Sequence, residues 1–584
     1  MAERIEMLRA LMRAKGWDAV VVTGSDPHCS EYPAERWKQV QWLSDFTGEA
    51  GDLVVTPDHA GLWTDTRYFI QAEQQLAGTG IALHKMRVPE QVPIPDWLRQ
   101  QFGDDALIAV DGLCTGAAFA QSLPGTVLSV PDLLDRFWTD RPAIPQTPIF
   151  TVDPGETRRE KISWLRAFLR EQDCDGILLT ALDEIAWLLN VRASDIEYNP
   201  LVISYLLVTR SEVCWYVVKE KVEDPQTRAT FSILEADGVR LHPYSDIDYL
   251  PSEFQGRLFV DAASLNYQLY STLASDGVAL EEGTSPVGLR KAVKNAREIA
   301  GMREAHLQDG VAMERYLYWL EKSVAAGREI TEWDAAVKLG QLRGDRKDYL
   351  GDSFETISAY GPGAALPHYI TPHNYAPVIR DEGLYLCDSG GQYTCGTTDI
   401  TRTVPMGRLS ALEREDYTLV LKGHIALAMA VFPEGTPGCR LDALARAPLW
   451  RSKRNFGHGT GHGVGWFLGV HEGPHDIRQN LNPVPFEPGM IVSDEPGIYR
   501  EGKHGVRHEN LLLCVEAGVS EFGRWLAFEP LTLCHFDTDG LDLSLLDRAE
   551  IDWLNAYHER VREALSPHLP GEIADWLRDK TRPV

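Results

Sequence analysis

Two stretches of this chain carry acidic residues at the spacing of facing hairpin positions. In LYLCDSGGQYTCGTTDITRTV (Leu384–Val404), Leu384 and Leu386 alternate with Asp388 on one strand face, and Asp399 leads a second strand-like run after a Gly/Thr-rich reversal. A reversal centred near Tyr393 and Thr394 sets Asp388 opposite Asp399, with Cβ atoms roughly 5 Å apart. In MIVSDEPGIYREGKHGVRHENLLLCV (Met490–Val515), a reversal centred on Gly502 sets Glu495 opposite Glu509 between two apolar strands. Carboxylates that face each other repel unless they are protonated or bridged by a cation. One such pair is a weak signal; two pairs in one chain are a much stronger one.

A third stretch adds imidazoles. HGTGHGVGWFLGVHEGP (His458–Pro474) holds His458, His462 and His471. The four-residue step from His458 to His462 matches the helical HExxH zinc motif, but no Glu follows the first His. Gly457, Gly459, Gly461 and Gly463 surround the pair, and each interior Gly costs a helix roughly 1 kcal/mol against Ala. The stretch therefore reads as strand or loop whose backbone lets a ligand approach closely. Read alone, each residue has an ordinary alternative: Asp388 capping a turn, Glu495 pairing with Arg500, His462 a satisfied core residue. Read together, Asp388, Asp399, Glu495, Glu509 and His462 are four carboxylates and one imidazole with no thiolate. Four negative charges balance two divalent cations, and hard oxygen donors favour Mn²⁺, with Co²⁺ or Zn²⁺ compatible. Two metals roughly 3.5–4 Å apart can hold a bridging hydroxide nucleophile.

These residues need a scaffold, and the 584-residue chain is long enough for about three domains. Its first half repeats itself: IEMLRALMRAKGWDAVVVT (Ile5–Thr23) matches ISWLRAFLREQDCDGILLT (Ile162–Thr180), each an amphipathic helix followed by a buried strand. Trp42-Leu43 before LVVT (Leu53–Thr56) parallels Trp187-Leu188 before LLVT (Leu206–Thr209). A duplicated domain of roughly 150 residues accounts for this, with the proline-rich RPAIPQTPIF (Arg141–Phe150) as linker. Neither copy shows a phosphate loop, metal cluster or nucleophile motif. WTDTRYF (Trp63–Phe69) is the distinctive stretch of the first copy, and on its own reads as a strand edge with a surface Arg. Lys291–Val324 reads as mostly helical. After Pro530, Ile551, Leu554, Tyr557, Val561 and Leu565 recur at helical spacing, as core or as a subunit contact. The expected domains are 1–148, 149–291 and 292–584.

A net charge of −28 argues against nucleic acid or anionic membrane as partner. No apolar run approaches the ~20 residues of a spanning helix, and the charged N-terminus MAERIEMLRALMRAKGWDAV shows no secretory apolar core. Nine cysteines at irregular spacing, without a CxxC pair, suggest reduced thiols in a cytoplasmic protein.

With LCDSGGQYTCGTTDITRT, GHGTGHGVG, VHEGP, DEPGIY and VRHEN in order, the chain resembles aminopeptidase P of the pita-bread metallopeptidase family. ALDEIAWLLNVR (Ala181–Arg192) and WTDTRYF resemble the non-catalytic domains of its long, three-domain form, so the resemblance spans nearly the whole chain. It implies an α/β (α+β) fold class: two creatinase-like α/β domains, then a catalytic domain whose curved antiparallel sheet carries the ligands on its inner face. It implies that Asp388 binds one metal, His462 and Glu495 the other, and that Asp399 and Glu509 bridge the two. Glu495 would also orient or deprotonate the bridging water. His368, in ALPHYITP, would contact substrate near the scissile bond, His471 would polarise the scissile carbonyl, and His458 would lie near the substrate channel. Arg507 matches an arginine behind the ligands, and Arg67 one that reaches the substrate.

The implied activity is metal-dependent hydrolysis of the N-terminal Xaa-Pro bond of peptides, and the implied assembly is a homodimer. A prolidase confined to dipeptides, a silent pita-bread binding protein and a metal-independent creatinase-like hydrolase are the alternatives. Prolidases resemble a shorter, two-domain plan, silent relatives lack ligands, and a metal-free hydrolase leaves the paired carboxylates unexplained. Two positions depart from the pattern. His508 stands where an apolar residue is usual, and strand alternation points it away from the metals. His373 lies close enough to His368 to take its place if the match slips.

Overall fold

The internal repeat becomes two copies of one topology. In the computed structural model, which describes residues 2–584, helix α1 (Ala2–Lys15) buries Ile5, Leu8 and Met12 along one face. It leads into β1 (Ala19–Val22), which is buried along its length. Val20 and Val22 enter one core while Ala19 and Val21 enter another, the period-two signature of a strand covered on both faces. With β2 (Asp52–Val55), β3 (Ala60–Thr64), β4 (Ala82–Lys85), β5 (Leu107–Val110) and β6 (Thr126–Ser129), it forms a sheet of order β4-β3-β2-β1-β5-β6.

The second copy repeats this. Helix α2 (Arg158–Glu171) buries Ile162, Leu165 and Leu169 at the same spacing and starts on a Thr157–Glu160 capping box. β7 (Gly176–Leu179), β8 (Ser204–Thr209), β9 (Val213–Val217), β10 (Arg240–Pro243), β11 (Arg257–Val260) and β12 (Ala279–Glu282) form a sheet of order β10-β9-β8-β7-β11-β12. Its central strand is antiparallel to one neighbour and parallel to the other, as in the first copy. Both copies lie in one compact unit, Met1–Val287; Gly288–Val584 forms the other.

The second unit is built on antiparallel ladders and one long helix, α3 (Ala296–Ala325), which starts on an Asn295–Glu298 capping box. β13 (Ile357–Tyr360), β14 (Leu384–Ser389) and β15 (Ile400–Pro405) make a three-stranded sheet. β16 (Val431–Pro433), β17 (Gly461–Gly463), β18 (Glu472–Ile477), β19 (Ile491–Asp494), β22 (Asn510–Ser520) and β23 (Gly523–Pro530) make a six-stranded one, and β20 (Gly497–Arg500) pairs with β21 (His504–Arg507). Helix α4 (Ala411–Ala428) contributes Tyr417, Val420, Leu421 and Ile425 to the unit's main core. Helix α5 (Arg548–Leu565) buries Leu554, Tyr557, Val561 and Leu565 in the same core. The C-terminal apolar stripe is thus consumed inside the unit, which removes it as an argument for a subunit contact.

Candidate metal centre

The two acidic hairpins differ from one another in register. In the second, β20 pairs with β21 as Gly497↔Arg507 to Arg500↔His504, and β19 pairs with β22 as Asp494↔Asn510. Both ladders share one register centred on Gly502, and Glu495 and Glu509 fall in the break between them. In the first hairpin the turn lies between Thr394 and Cys395, one residue later than expected, because Tyr393 pairs with Gly396. Asp388 therefore faces Thr401, not Asp399. Asp399 sits just outside the ladder, before Ile400, diagonal to Asp388. The tip residues 391–393 leave the three-stranded sheet to pair with Tyr349–Asp352 instead.

The four carboxylates and His462 nevertheless converge. Ligand atoms of Asp399, His462 and Glu509 all lie within 4.8 Å of one another. His462 Nε2 is 3.4 Å from Asp399 Oδ2 and 3.5 Å from Glu495 Oε1. Thr401 Oγ1 donates to Glu509 Oε2 at 2.7 Å, and Ser493 Oγ donates to Glu495 Oε1 at 3.1 Å. Arg507 Nη2 donates to Asp388 Oδ2 at 2.5 Å.

The electrostatics fit a cation site. Burial, then Asp388, pushes the Asp399 carboxyl well up; burial, then Asp399, does the same to Glu509. Burial lifts Glu495 to about 7. The Oδ1 atoms of Asp388 and Asp399 are buried without a hydrogen-bond partner among the described residues. Oxygen acceptors of this kind, aimed together and opposed by one adjacent guanidinium, suit divalent cations and cannot all ionise without them. The donor set of four carboxylates and an imidazole fits two such ions.

Around this cluster lie the histidines. The His471 ring meets the His462 ring edge-on, with centroids 4.3 Å apart. His458 Nδ1 is 3.9 Å from Glu495 Oε2, and its Nε2 lies 2.7 Å from the Tyr499 hydroxyl. Burial, then Arg507, holds His458 well below the ordinary imidazole range. Arg507 Nη2 donates to the carbonyl of Pro367 at 3.3 Å, which sets the neighbouring His368 near enough to His458 for their charges to interact. His373 is exposed and stacks on Trp333, 3.8 Å between centroids. The geometry brings His368, not His373, to the cluster. His508 is buried edge-on against Tyr417 and Phe536. Arg67 belongs to the first unit, where it forms two hydrogen bonds of 2.9 Å with Asp65 and lies 5.2 Å over the Tyr68 ring.

Tyr499 is the site residue that sequence reading missed. Its hydroxyl also accepts from Arg507 Nη1 at 2.7 Å, so it joins Arg507 to His458. Alternation held the signal: Glu495, Gly497 and Tyr499 share a strand face, and Gly497 leaves the space in which the Tyr499 ring folds back, its hydroxyl 2.5 Å from where a Cβ would sit. Behind the ligands, His424 Nδ1 lies 3.1 Å from Asp494 Oδ2 and its Nε2 3.2 Å from Asn510 Nδ2. These partners flank Glu495 and Glu509 in sequence but come from three separate segments, which no local pattern connects.

Comparison with known proteins agrees with this geometry. Residues 300–516 match the model of metallopeptidase family M24, and 524–584 the C-terminal region of peptidase M24. Residues 4–135 and 140–298 each match a creatinase/prolidase N-terminal domain. Aminopeptidase P1 of Arabidopsis thaliana is 38 % identical over all of this chain and 99 % of its own. A probable Xaa-Pro aminopeptidase P of Laccaria bicolor is 38 % identical over all of this chain and 93 % of its own. The X-prolyl aminopeptidase of Caenorhabditis elegans, described as a cytosolic enzyme with a di-nuclear active site, superimposes over the whole of both chains with TM-score 0.95 at 36 % identity. The Xaa-Pro dipeptidase of Bacillus anthracis matches 64 % of this chain and 98 % of its own, at 26 % identity and TM-score 0.51.

Proposed function

The chain belongs to metallopeptidase family M24, and from that premise we propose that it is a metal-dependent aminopeptidase that releases the N-terminal residue of peptides with proline in second place. The observation that carries this reading is the coincidence of a full-length match to an X-prolyl aminopeptidase with a buried cluster of four carboxylates and His462. The dipeptidase match leaves out about a third of this chain. Asp388 would hold one divalent ion, His462 and Glu495 the other, with Asp399 and Glu509 shared between them. Mn²⁺ suits the oxygen-rich set best. When bound, such ions supply a water of lowered pKa and polarise the scissile carbonyl.

The chain's own residues do the rest. Glu495 orients the attacking water and accepts its proton. His471, against the metal-binding ring, and His368 face the carbonyl before proline and stabilise negative charge developing there. The proline nitrogen must receive a proton to leave, and His368, His458 and His471 are the imidazoles beside the cluster that are not assigned to metal. Arg507 neutralises Asp388 and, through Tyr499, fixes His458. From the family resemblance alone, Arg67 would contact the substrate. Unpaired thiols, and helices too short or too polar to cross a membrane among the described residues, support a cytoplasmic setting like that of the nematode enzyme; a homodimer follows from the family resemblance alone.

The test strips the protein of metal, restores Mn²⁺, and compares Arg-Pro-Pro with Gly-Pro. Release of free arginine only with metal, and much faster than dipeptide cleavage, is expected. Preference for Gly-Pro makes the chain a dipeptidase, and no turnover with metal bound sinks the reading.

A further inference from the structure

A buried charge cluster gathers on Glu472, the first residue of β18 and the one directly after His471. Lys291 Nζ is 2.7 Å from Glu472 Oε2, and Lys294 Nζ binds Glu472 Oε1. The three side chains are only 1–2 % exposed. Buried Glu298 adds a second negative charge near Lys294, so the cluster is balanced overall. Lys291 and Lys294 stand in the first few residues of the second unit, just before α3. The backbone there is fixed too, since Lys294 N donates to the carbonyl of Gly489 at 3.1 Å.

This arrangement constrains the proposed site in a specific way. Glu472 pairs with Gly463, while His462 pairs with Asp476, so the ladder slips between two consecutive residues of β17. A bulge bends its strand and re-aims the side chains beside it. The His471 ring packs against His462 just before β18 begins, and the Glu472 carboxylate, on the next residue, lies in the cluster. The glycine-rich stretch makes room for Glu472, Gly463 for its backbone and Gly465 for its carboxylate. A Cβ on Gly463 would sit 2.1 Å from the Glu472 carbonyl oxygen, and one on Gly465 3.0 Å from Glu472 Oε2.

We infer that Glu472, clamped at both oxygens by Lys291 and Lys294, is a positioning residue that sets His471 against the metal-binding ring. Ion pairs this deep add little net stability compared with an apolar core but fix geometry when both partners are present. The inference rests on the proposed peptidase reading, because it acts through His471.

A double-mutant cycle on the metal-loaded full chain tests it, with Xaa-Pro peptide hydrolysis, metal content and thermal unfolding measured for each variant. Lys294→Met in the wild-type background should lower kcat about tenfold, leave KM within about twofold, and retain two metals per chain. In a His471→Ala background the same change should cost less than about twofold. Lys294→Arg, which keeps the charge, should recover most of the kcat. Lys291→Met repeats the cycle at the other oxygen and decides the matter if Lys294→Met does not fold. Equal losses in the two backgrounds, or a loss traced to metal content, overturn the inference. Absence of Xaa-Pro cleavage by the unmodified chain would instead overturn the peptidase reading itself.

Discussion

The two acidic hairpins place their carboxylates by different means. In β14–β15, Asp388 lies within a continuous ladder, its backbone paired on both sides by Ile357 and Thr401. In β19–β22, Glu495 and Glu509 lie where one ladder stops and the next begins, held by Glu495 N to the Thr460 carbonyl at 2.8 Å and Glu509 N to the Thr401 carbonyl at 3.1 Å. The flanks differ as well. Next to the first hairpin, Glu332 accepts from the Tyr360 amide at 2.6 Å and the Tyr369 hydroxyl at 2.7 Å, both of them neutral donors. At the tip of the second, Asp416 of α4 meets Arg500 at 3.0 Å, His504 at 2.9 Å and Arg454 at 2.9 Å. The acid beside the continuous ladder is met by neutral donors, while the acid at the tip of the broken one is met by charge. The difference teaches that a ligand in a ladder gap relies on anchors outside the sheet.

Loss of a ladder-gap ligand should have the largest effect. Glu495→Gln keeps the size of the side chain but removes a negative charge and the proton acceptor. Turnover should fall by about 10³-fold or more, with metal content by elemental analysis reduced as well. Retained turnover would show that Glu495 neither binds metal nor moves a proton.

The two flanking acids should give opposite pH responses. Burial lifts Glu332 from an ordinary 4.5 to about 7. Its carboxyl favours the folded state fully below 4.5 and loses that contribution as pH rises through 7. Glu332→Gln should therefore flatten a decline on the order of 2–3 kcal/mol across this window. Burial also pushes Asp416 up, but His504 and Arg500 outweigh it and hold the group below its usual 3.8. Its contribution is complete above that value and is lost as the pH falls, so Asp416→Asn should reduce sensitivity to acid. Thermal unfolding from pH 3 to pH 8 measures both, and parallel slopes in the two variants would dissolve the contrast.

The smallest effect concerns the turns. Gly502 adopts φ +69°, which disfavours any side chain, so Gly502→Ala should cost about 1–2 kcal/mol. Cys395→Ala, in a turn without positive φ, should cost less. Unfolding midpoints of the two variants compare them directly.

That same contrast decides what was legible in advance. Gly502 is the left-handed residue of a three-residue connection, so its position marks the hairpin centre and the Glu495–Glu509 register could be read from it. The first hairpin has glycines on both sides of its turn, at 390, 391 and 396, and none is left-handed. Nothing local told Thr394–Cys395 from Tyr393–Thr394, and one residue of error moved the partner of Asp388 by two. The duplicated sheets were visible because helix and strand periodicity survived in both copies. The choice of His368 over His373 rested on the family match, because what separates them in space, the Arg507 contact to Pro367 and the Trp333 stacking on His373, is distant in sequence. The clamp on Glu472 was invisible because its lysines lie some 180 positions earlier and look like ordinary surface charge.

The shared register of the two ladders around Gly502 also limits how the chain can change in length. Dropping one residue from either arm between Glu495 and Glu509 would turn the residues beyond it to the opposite face and carry one carboxylate away from the cluster. Dropping one from each arm would shorten the hairpin and leave both carboxylates facing each other. Relatives that vary this loop should do so in matched pairs, so that the tip is free to lengthen or shrink while its base is not.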